Sequence, residues 1–225
     1  MINKEQENKT EKANLLAQKA LNNSDYTGWF DVLYSQAEKD HNKIPWATMS
    51  AHPYLKKWLE KNQISGENKT ALVIGCGLGD DAETIAEIGF KVTAFDISPS
   101  AIAWCKQRFP DSSVNYIIAD LFNLDSAWEQ KFDFVFECRT IQSLPLEVRV
   151  QVIESTAKLV ANNGNLLIIT HLRETEEEPS GPPWALSLKE IDLFKQFGLK
   201  EIHSEKFFEG ENNDKLRLII EYKKT

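Results

Sequence analysis

An α/β fold on a doubly wound, mostly parallel seven-stranded sheet with an antiparallel last strand is predicted by three observations. Short apolar runs alternate with helical stretches from Thr70 onward, and the runs are almost continuously apolar. The final two runs are joined by a link too short for a parallel crossover. The first five are ALVI (71–74), KVTAF (91–95), VNYIIA (114–119), FDFVF (132–136) and NLLIIT (165–170). Each has strand length and suits burial on both faces. Two more strands are expected near 200–208 and 215–223. Only the turn-like Gly210-Glu211-Asn212-Asn213-Asp214 separates them, so they pair antiparallel.

Helix punctuation fills the gaps between the strands. Asp80 is placed to cap the first helix and Gly89 to close it, while Ser98-Pro99 opens the second. Residues 147–160 supply a third, and Ser187-Leu188-Lys189-Glu190 has the form of a capping box opening a fourth. Three segments are expected overall. Residues 1–25 are polar, with Leu15, Leu16 and Leu21 marking one short amphipathic helix; 26–68 form an aromatic-rich cover; 69–225 form the main domain.

Composition narrows the class of function. Apolar residues make up 42% of the chain and charged residues 27%, the balance of a globular protein. The net charge of -8 repels a phosphate backbone, which argues against nucleic acid as a partner. Cys76, Cys105 and Cys138 are widely spaced and form no Cys/His cluster, so neither a structural metal nor a disulfide framework is expected. The opening stretch has no signal-like apolar run and no later run is long enough to span a bilayer, which predicts a cytoplasmic protein.

The segment Gly75-Cys76-Gly77-Leu78-Gly79 is a glycine-rich turn between a strand and a helix, where open α/β sheets bind ligands. It reads GxGxG, not the GxGxxG of a dinucleotide site, and Asp80, Asp81 and Glu83 follow at once. Like charges ~4 Å apart repel by roughly 4 kcal/mol at an effective dielectric of about 20, so this acidic start opposes a pyrophosphate. S-adenosylmethionine has no phosphate and carries two cations, and so suits it. Asp96 ends the second strand, before Ile97, and can accept both hydroxyls of an adenosine ribose. Asp120 ends the third and can accept an adenine amino group, with Leu121 or Phe122 on the ring. Trp46 and Trp29 are candidates to wall a sulfonium.

With these residues in place the chain resembles class I S-adenosylmethionine-dependent methyltransferases over about residues 70–223, which implies a Rossmann-like domain. The stretches ALVIGCGLGDDA, AFDIS, ADLFNL and FDFVFE, with Gly181-Pro182-Pro183-Trp184, are similar to the thiopurine S-methyltransferase group, which includes thiol and halide methyltransferases. Val73 stands two residues before the first glycine, as is usual there. Ile44-Pro45-Trp46, with Pro53 downstream, looks like the group's aromatic cover. The stretch from Glu137 to Ser143 fits more loosely.

The resemblance implies S-adenosylmethionine as cofactor, held by Trp46, Gly75, Cys76, Gly77, Gly79, Asp96, Ile97, Asp120, Leu121, Phe122 and Glu137. Arg139 is the candidate to hold an anionic acceptor, and His171 the candidate to take its proton. The expected partner is a small-molecule methyl acceptor, a thiol, thiopurine or halide, with no nucleic acid or membrane and at most a weak homo-oligomer. Two other readings stand beside it: a nicotinamide-dependent oxidoreductase on the same fold, and a non-catalytic S-adenosylmethionine-binding protein.

Overall fold

The computed structural model describes residues 2–175, 177–179, 181–209 and 215–225. The chain runs α1 (Ile2–Leu21), α2 (Gly28–Gln36), α3 (Pro53–Lys61), β1 (Thr70–Ile74), α4 (Asp80–Glu87), β2 (Lys91–Asp96), α5 (Pro99–Arg108) and β3 (Asn115–Ile118). It continues through β4 (Phe132–Cys138), α6 (Arg149–Leu159), β5 (Val160–Arg173), β6 (Leu186–Ser187), α7 (Leu188–Gln196), β7 (Leu199–Glu209) and β8 (Lys215–Lys224). The predicted turn from Gly210 to Asp214 lies outside the described residues.

The sheet has the order β3-β2-β1-β4-β5-β8-β7, and β6 pairs with β5 off this path. Eight strands therefore replace the seven expected. The extra one is two residues long, too short for an apolar run, and it forms because β5 extends far enough for Leu172 and Arg173 to pair with Leu186 and Ser187. Among the described strands only β8 is reversed: it pairs antiparallel with both β5 and β7, as the short link requires.

Side chains alternate across the sheet with a period of two. Leu72, Ile74, Val135, Leu166 and Ile168 face one core with Val152 and Ile153 of α6 and Ile191 and Phe194 of α7. Ala71, Val73, Phe134, Phe136, Leu167 and Ile169 face the other, with Leu55 and Trp58 of α3, Ile85 of α4 and Ile102 of α5. Both faces are dry, which explains why the strand sequences are apolar without alternation. Glu221 is buried on the second of these faces, satisfied by the Trp58 indole N–H at 3.0 Å and the Asn165 amide at 2.6 Å.

A third cluster holds the N-terminal cover to this frame: Ala13, Ala17, Trp29, Leu33 and Ile44 pack with Leu78 and Trp104. α1 is a long helix whose buried face is made by Ala13 and Ala17, while Leu15 is exposed. Leu16 packs beside them on the cover, so of these two leucines Leu16 lies on the packed face and Leu15 does not, and small residues let the helix approach closely. The Ser187–Glu190 capping box forms as read. The cap of α4 differs: Gly79, at φ 90°, takes the N-cap position, and Asp80 is already the first helical residue. Among the described residues no helix is long and apolar enough to cross a membrane.

Asp31 of α2 anchors the cover by accepting from the Ser98 hydroxyl at 2.6 Å and the Ser100 amide at 2.9 Å, at the start of α5. Asp31→Ala should therefore cost about 1–3 kcal/mol in urea unfolding and speed amide exchange in α2. Unchanged stability would mean that apolar packing alone holds the cover.

Candidate active site

The sheet order reverses beside β1, whose neighbours β2 and β4 lead the chain to opposite sides. At the carboxyl ends of these strands a crevice must open, and a cleft of about 840 Å³ lies there. The glycine turn forms one wall. Gly75 adopts φ 60°, and a Cβ there would lie 2.2 Å from the Thr140 hydroxyl; one on Gly79 would lie 2.5 Å from that of Tyr116. These glycines thus let β4 and β3 close on the turn, besides keeping its backbone open to the cleft.

Asp96 joins the turn to α5. Its Oδ2 accepts the Gly77 amide at 2.9 Å and its Oδ1 the Ser98 amide at 3.0 Å, so each oxygen retains acceptor capacity toward the cleft it lines. Burial pushes its pKa up to about 6 against these bonds. Asp120 accepts the Phe122 amide at 2.9 Å, which folds the turn after β3 and places Asp120, Leu121 and Phe122 along the cleft. Ile97 and Cys76 line it too.

The acidic start of α4 is committed differently from the sequence argument. Asp80 is paired with Arg108 through two bonds of 2.8 Å. Glu83 accepts from Tyr116 at 2.6 Å and Ser112 at 2.7 Å. Only Asp81 joins the turn to the cover, by accepting the His52 amide at 2.7 Å, and burial raises its pKa to about 6. The three carboxylates therefore do not act as a block of free charge. The acidity facing a ligand comes chiefly from Asp81, Asp96 and Asp120, which line the cleft.

The cover closes the opposite wall. Trp46 donates its indole N–H to the Tyr34 hydroxyl at 2.8 Å, and Tyr34 stands directly over Gly77. Trp29 stacks on Phe30 at 3.9 Å and meets Trp46 edge-on, so one indole face of Trp29 is taken up by packing. Thr10, Ala13 and Asn14 of α1 reach the cleft as well. No chemistry is assigned to them from sequence, since their residue types carry no signal.

The other end of the cleft is basic. Arg139, held at φ 66° just past β4, pairs with Glu209 at 3.2 Å and touches the His52 ring at 3.3 Å. Arg217 bonds the same carboxylate at 3.0 Å. The antiparallel register sets Arg217 directly beside His171, and Lys215 opposite Glu209. Arg217, Lys215 and Glu209 escape the sequence reading because only the insertion of β8 beside β5 brings them here. Burial, with Arg217 and Arg139 close by, pushes the His171 pKa down to about 3; burial and Arg139 push that of His52 to about 4. Both rings are neutral at pH 7, and His171 is a weak proton acceptor.

Of the candidates named from sequence, Glu137 alone does not line the cleft. It is fully buried, and its Oε1 accepts the Thr140 and Ile141 amides at 2.6 and 3.0 Å. It folds the turn that carries Arg139. Among the described residues no group of three or more His, Cys, Asp or Glu is placed to hold a metal.

The histidine assignment has a measurable consequence. The native state refuses histidine protons that the unfolded chain accepts near pH 6.5, so the two rings contribute stability that is lost as the pH drops from about 6.5 toward 4. Asp81 and Asp96, with pKa raised to about 6, contribute in the opposite sense over the same range, so the ring titrations themselves are the test. An NMR titration should show both rings neutral to about pH 5. A midpoint near 6.5 would place that ring in solvent.

Solved structures with related folds include the 1,6-didemethyltoxoflavin-N1-methyltransferase of Burkholderia thailandensis, bound to 1,6-didemethyltoxoflavin and S-adenosylhomocysteine. It shows TM-score 0.66 and 18% identity, over 86% of this chain and 88% of that one. The N-methyltransferase NodS of Bradyrhizobium japonicum, in complex with S-adenosylhomocysteine, shows TM-score 0.65 and 18% identity, over 86% and 98%. At this identity they establish a shared Rossmann-like fold. In sequence, the thiopurine S-methyltransferase of Vibrio atlanticus (strain LGP32) is 26% identical over 67% of this chain and 75% of its own. The family model for thiopurine S-methyltransferase (TPMT) matches residues 36–221, most of the chain, which therefore belongs to the thiopurine S-methyltransferase family.

Proposed function

We propose that this protein transfers a methyl group from S-adenosylmethionine to a small anionic acceptor, with a thiol or thiopurine sulfur, or a halide, as the receiving atom. The observation that carries this reading is the polarity of the cleft. Asp96 and Asp120 line the glycine-turn end and Asp81 stands between the ends, whereas Arg139, Arg217 and Lys215 outnumber Glu209 at the other. A cationic donor and an anionic acceptor are thereby drawn to opposite ends.

S-adenosylmethionine, the cofactor of this family, supplies an electrophilic methyl group on a sulfonium. The residues present fit it. Asp96 has acceptor capacity for the ribose hydroxyls, and Asp120, Leu121 and Phe122 supply an acceptor and apolar faces for adenine. Trp46 and Tyr34 roof the glycine turn and exclude water. Arg139 and Arg217 hold the acceptor's negative charge and align it, the main requirement of an in-line displacement. His171 and His52 stay neutral, so the acceptor must reach the cleft already ionised. An amine would end as a cation beside three cations, which like-charge repulsion opposes; a thiolate ends neutral. The free cysteines suit a reducing compartment such as the cytoplasm.

Labelled S-adenosylmethionine with a panel of thiols, thiopurines, halides, amines and carboxylates tests the reading directly. Transfer is expected to thiols or other anions. S-adenosylhomocysteine binding without transfer to any of them would make the protein a non-catalytic binder, and thermal stabilisation by a dinucleotide alone would return it to redox chemistry. Arg139→Met should raise the acceptor KM roughly ten- to a hundredfold, as loss of a charged hydrogen bond does, and leave S-adenosylhomocysteine affinity unchanged.

Asp96→Asn should weaken S-adenosylhomocysteine by about 1.5–3 kcal/mol in calorimetry. Because hydroxyl donors favour the ionised carboxylate, wild-type affinity should also fall as the pH drops below about 6. The variant should lose that component of the pH dependence. Equal affinities would remove Asp96 from the cofactor site.

A further inference from the structure

We propose that Glu190, on α7 and outside the cleft, is a positioning residue for acceptor recognition, holding the Pro182–Trp184 wall in register through the buried Arg149 and the partly buried Arg173. This rests on the methyltransferase reading above. Pro182 and Pro183 line the cleft together with Gln142 and His171, whereas Arg149, Arg173 and Glu190 do not.

The wall is tied at both ends. On the cleft side the Trp184 amide donates to the Gln142 carbonyl at 2.7 Å. The Gln142 side chain in turn accepts the His171 amide at 2.6 Å and the Thr170 hydroxyl at 3.1 Å. On the far side Arg149 donates to the Trp184 carbonyl at 3.0 Å and the Leu144 carbonyl at 3.3 Å, and Arg173 donates to the carbonyl of Ala185. Both arginines converge on one carboxylate. Arg149 lies 3.3 Å from one oxygen of Glu190 and Arg173 lies 2.8 Å from the other. Arg149 is almost wholly buried, and the other two side chains are nearly so.

Two cations this close and this dry repel unless a carboxylate stands between them. Removing the charge of Glu190 must drive Arg149 and Arg173 apart, and each would drag a carbonyl of the wall with it. The same carboxylate also accepts the Ser187 amide at 2.7 Å, within the capping box. A positional role and a helix-capping role are therefore superimposed, and an experiment must separate them.

Glu190→Gln keeps the shape and one acceptor oxygen for the Ser187 amide and removes the charge, while Ser187→Ala removes the hydroxyl cap and keeps the charge. For Glu190→Gln we expect faster amide exchange at Trp184 and a rise of about tenfold or more in acceptor KM, with S-adenosylhomocysteine affinity unchanged. Ser187→Ala should match wild type in acceptor KM. Should Glu190→Gln misfold, Arg173→Gln, which removes one cation and its bond to Ala185, makes the same comparison. Three outcomes would overturn the proposal: unchanged exchange at Trp184, an equal loss of cofactor and acceptor binding, or the same KM rise in Ser187→Ala. Failure of the wild type to bind S-adenosylhomocysteine would instead sink the methyltransferase reading, and the exchange comparison would still judge the tether.

Discussion

A parallel sheet whose chain leaves its central strand in both directions cannot close over that strand's end, and this constraint governs everything in the site. From β1 the chain builds β2 and β3 on one side, then returns to build β4, β5 and the reversed β8 on the other. Right-handed crossovers put α4 and α5 on one face and α6 and α7 on the other. The gap between the two halves is the cleft, so its two ends are furnished by different parts of the chain. Residues near 75–122 supply the carboxylates, and residues near 139–217 supply the cations. The charge polarity on which the functional reading depends is a product of topology.

That origin explains what a sequence can reveal here. The glycine turn, Asp96 and Asp120 each sit at the end of an apolar run, so their positions at strand tips follow from local pattern alone. Arg139 and His171 are legible for the same reason. Arg217, Lys215 and Glu209 lie on strands whose partners are set by a non-local insertion, and nothing near them in sequence marks them. The contribution of α1 is hidden more deeply. Its cleft-facing stripe is Thr10, Ala13 and Asn14, small or polar residues that carry no signal, while Leu16 packs on the cover and Leu15 is exposed. Glu137 fails in the opposite way: its place at a strand tip matches that of a ligand-binding acid, but the tight turn after β4 leaves two amides that its carboxylate satisfies first.

The buried charges near α6 and α7 continue this logic. Replacing such a triad with apolar side chains often leaves a fold as stable or more so, so stability alone is a weak reason for its presence. What apolar packing does not provide is a directional hold on particular carbonyls. Arg149 and Arg173 grip the carbonyls of Trp184 and Ala185, in a segment whose only regular pairing is the two-residue β6. Position, more than energy, is what the triad supplies.

Glu209 brings the same distinction to the acceptor itself. A thiolate loses its charge as it is methylated, so cations that hold it too tightly stabilise the ground state more than the transition state and slow the reaction. Cations that hold it too weakly fail to align it, and neither neutral histidine is basic enough to ionise an acceptor that arrives protonated. Both Arg139 and Arg217 donate to one oxygen of Glu209, which moderates their field while leaving a surplus of positive charge. On the proposed reading the acceptor is then held by a surplus spread over several groups and not by a dedicated pair. Such an arrangement favours groups that ionise readily and surrender their charge in the reaction, which is the behaviour of a thiol.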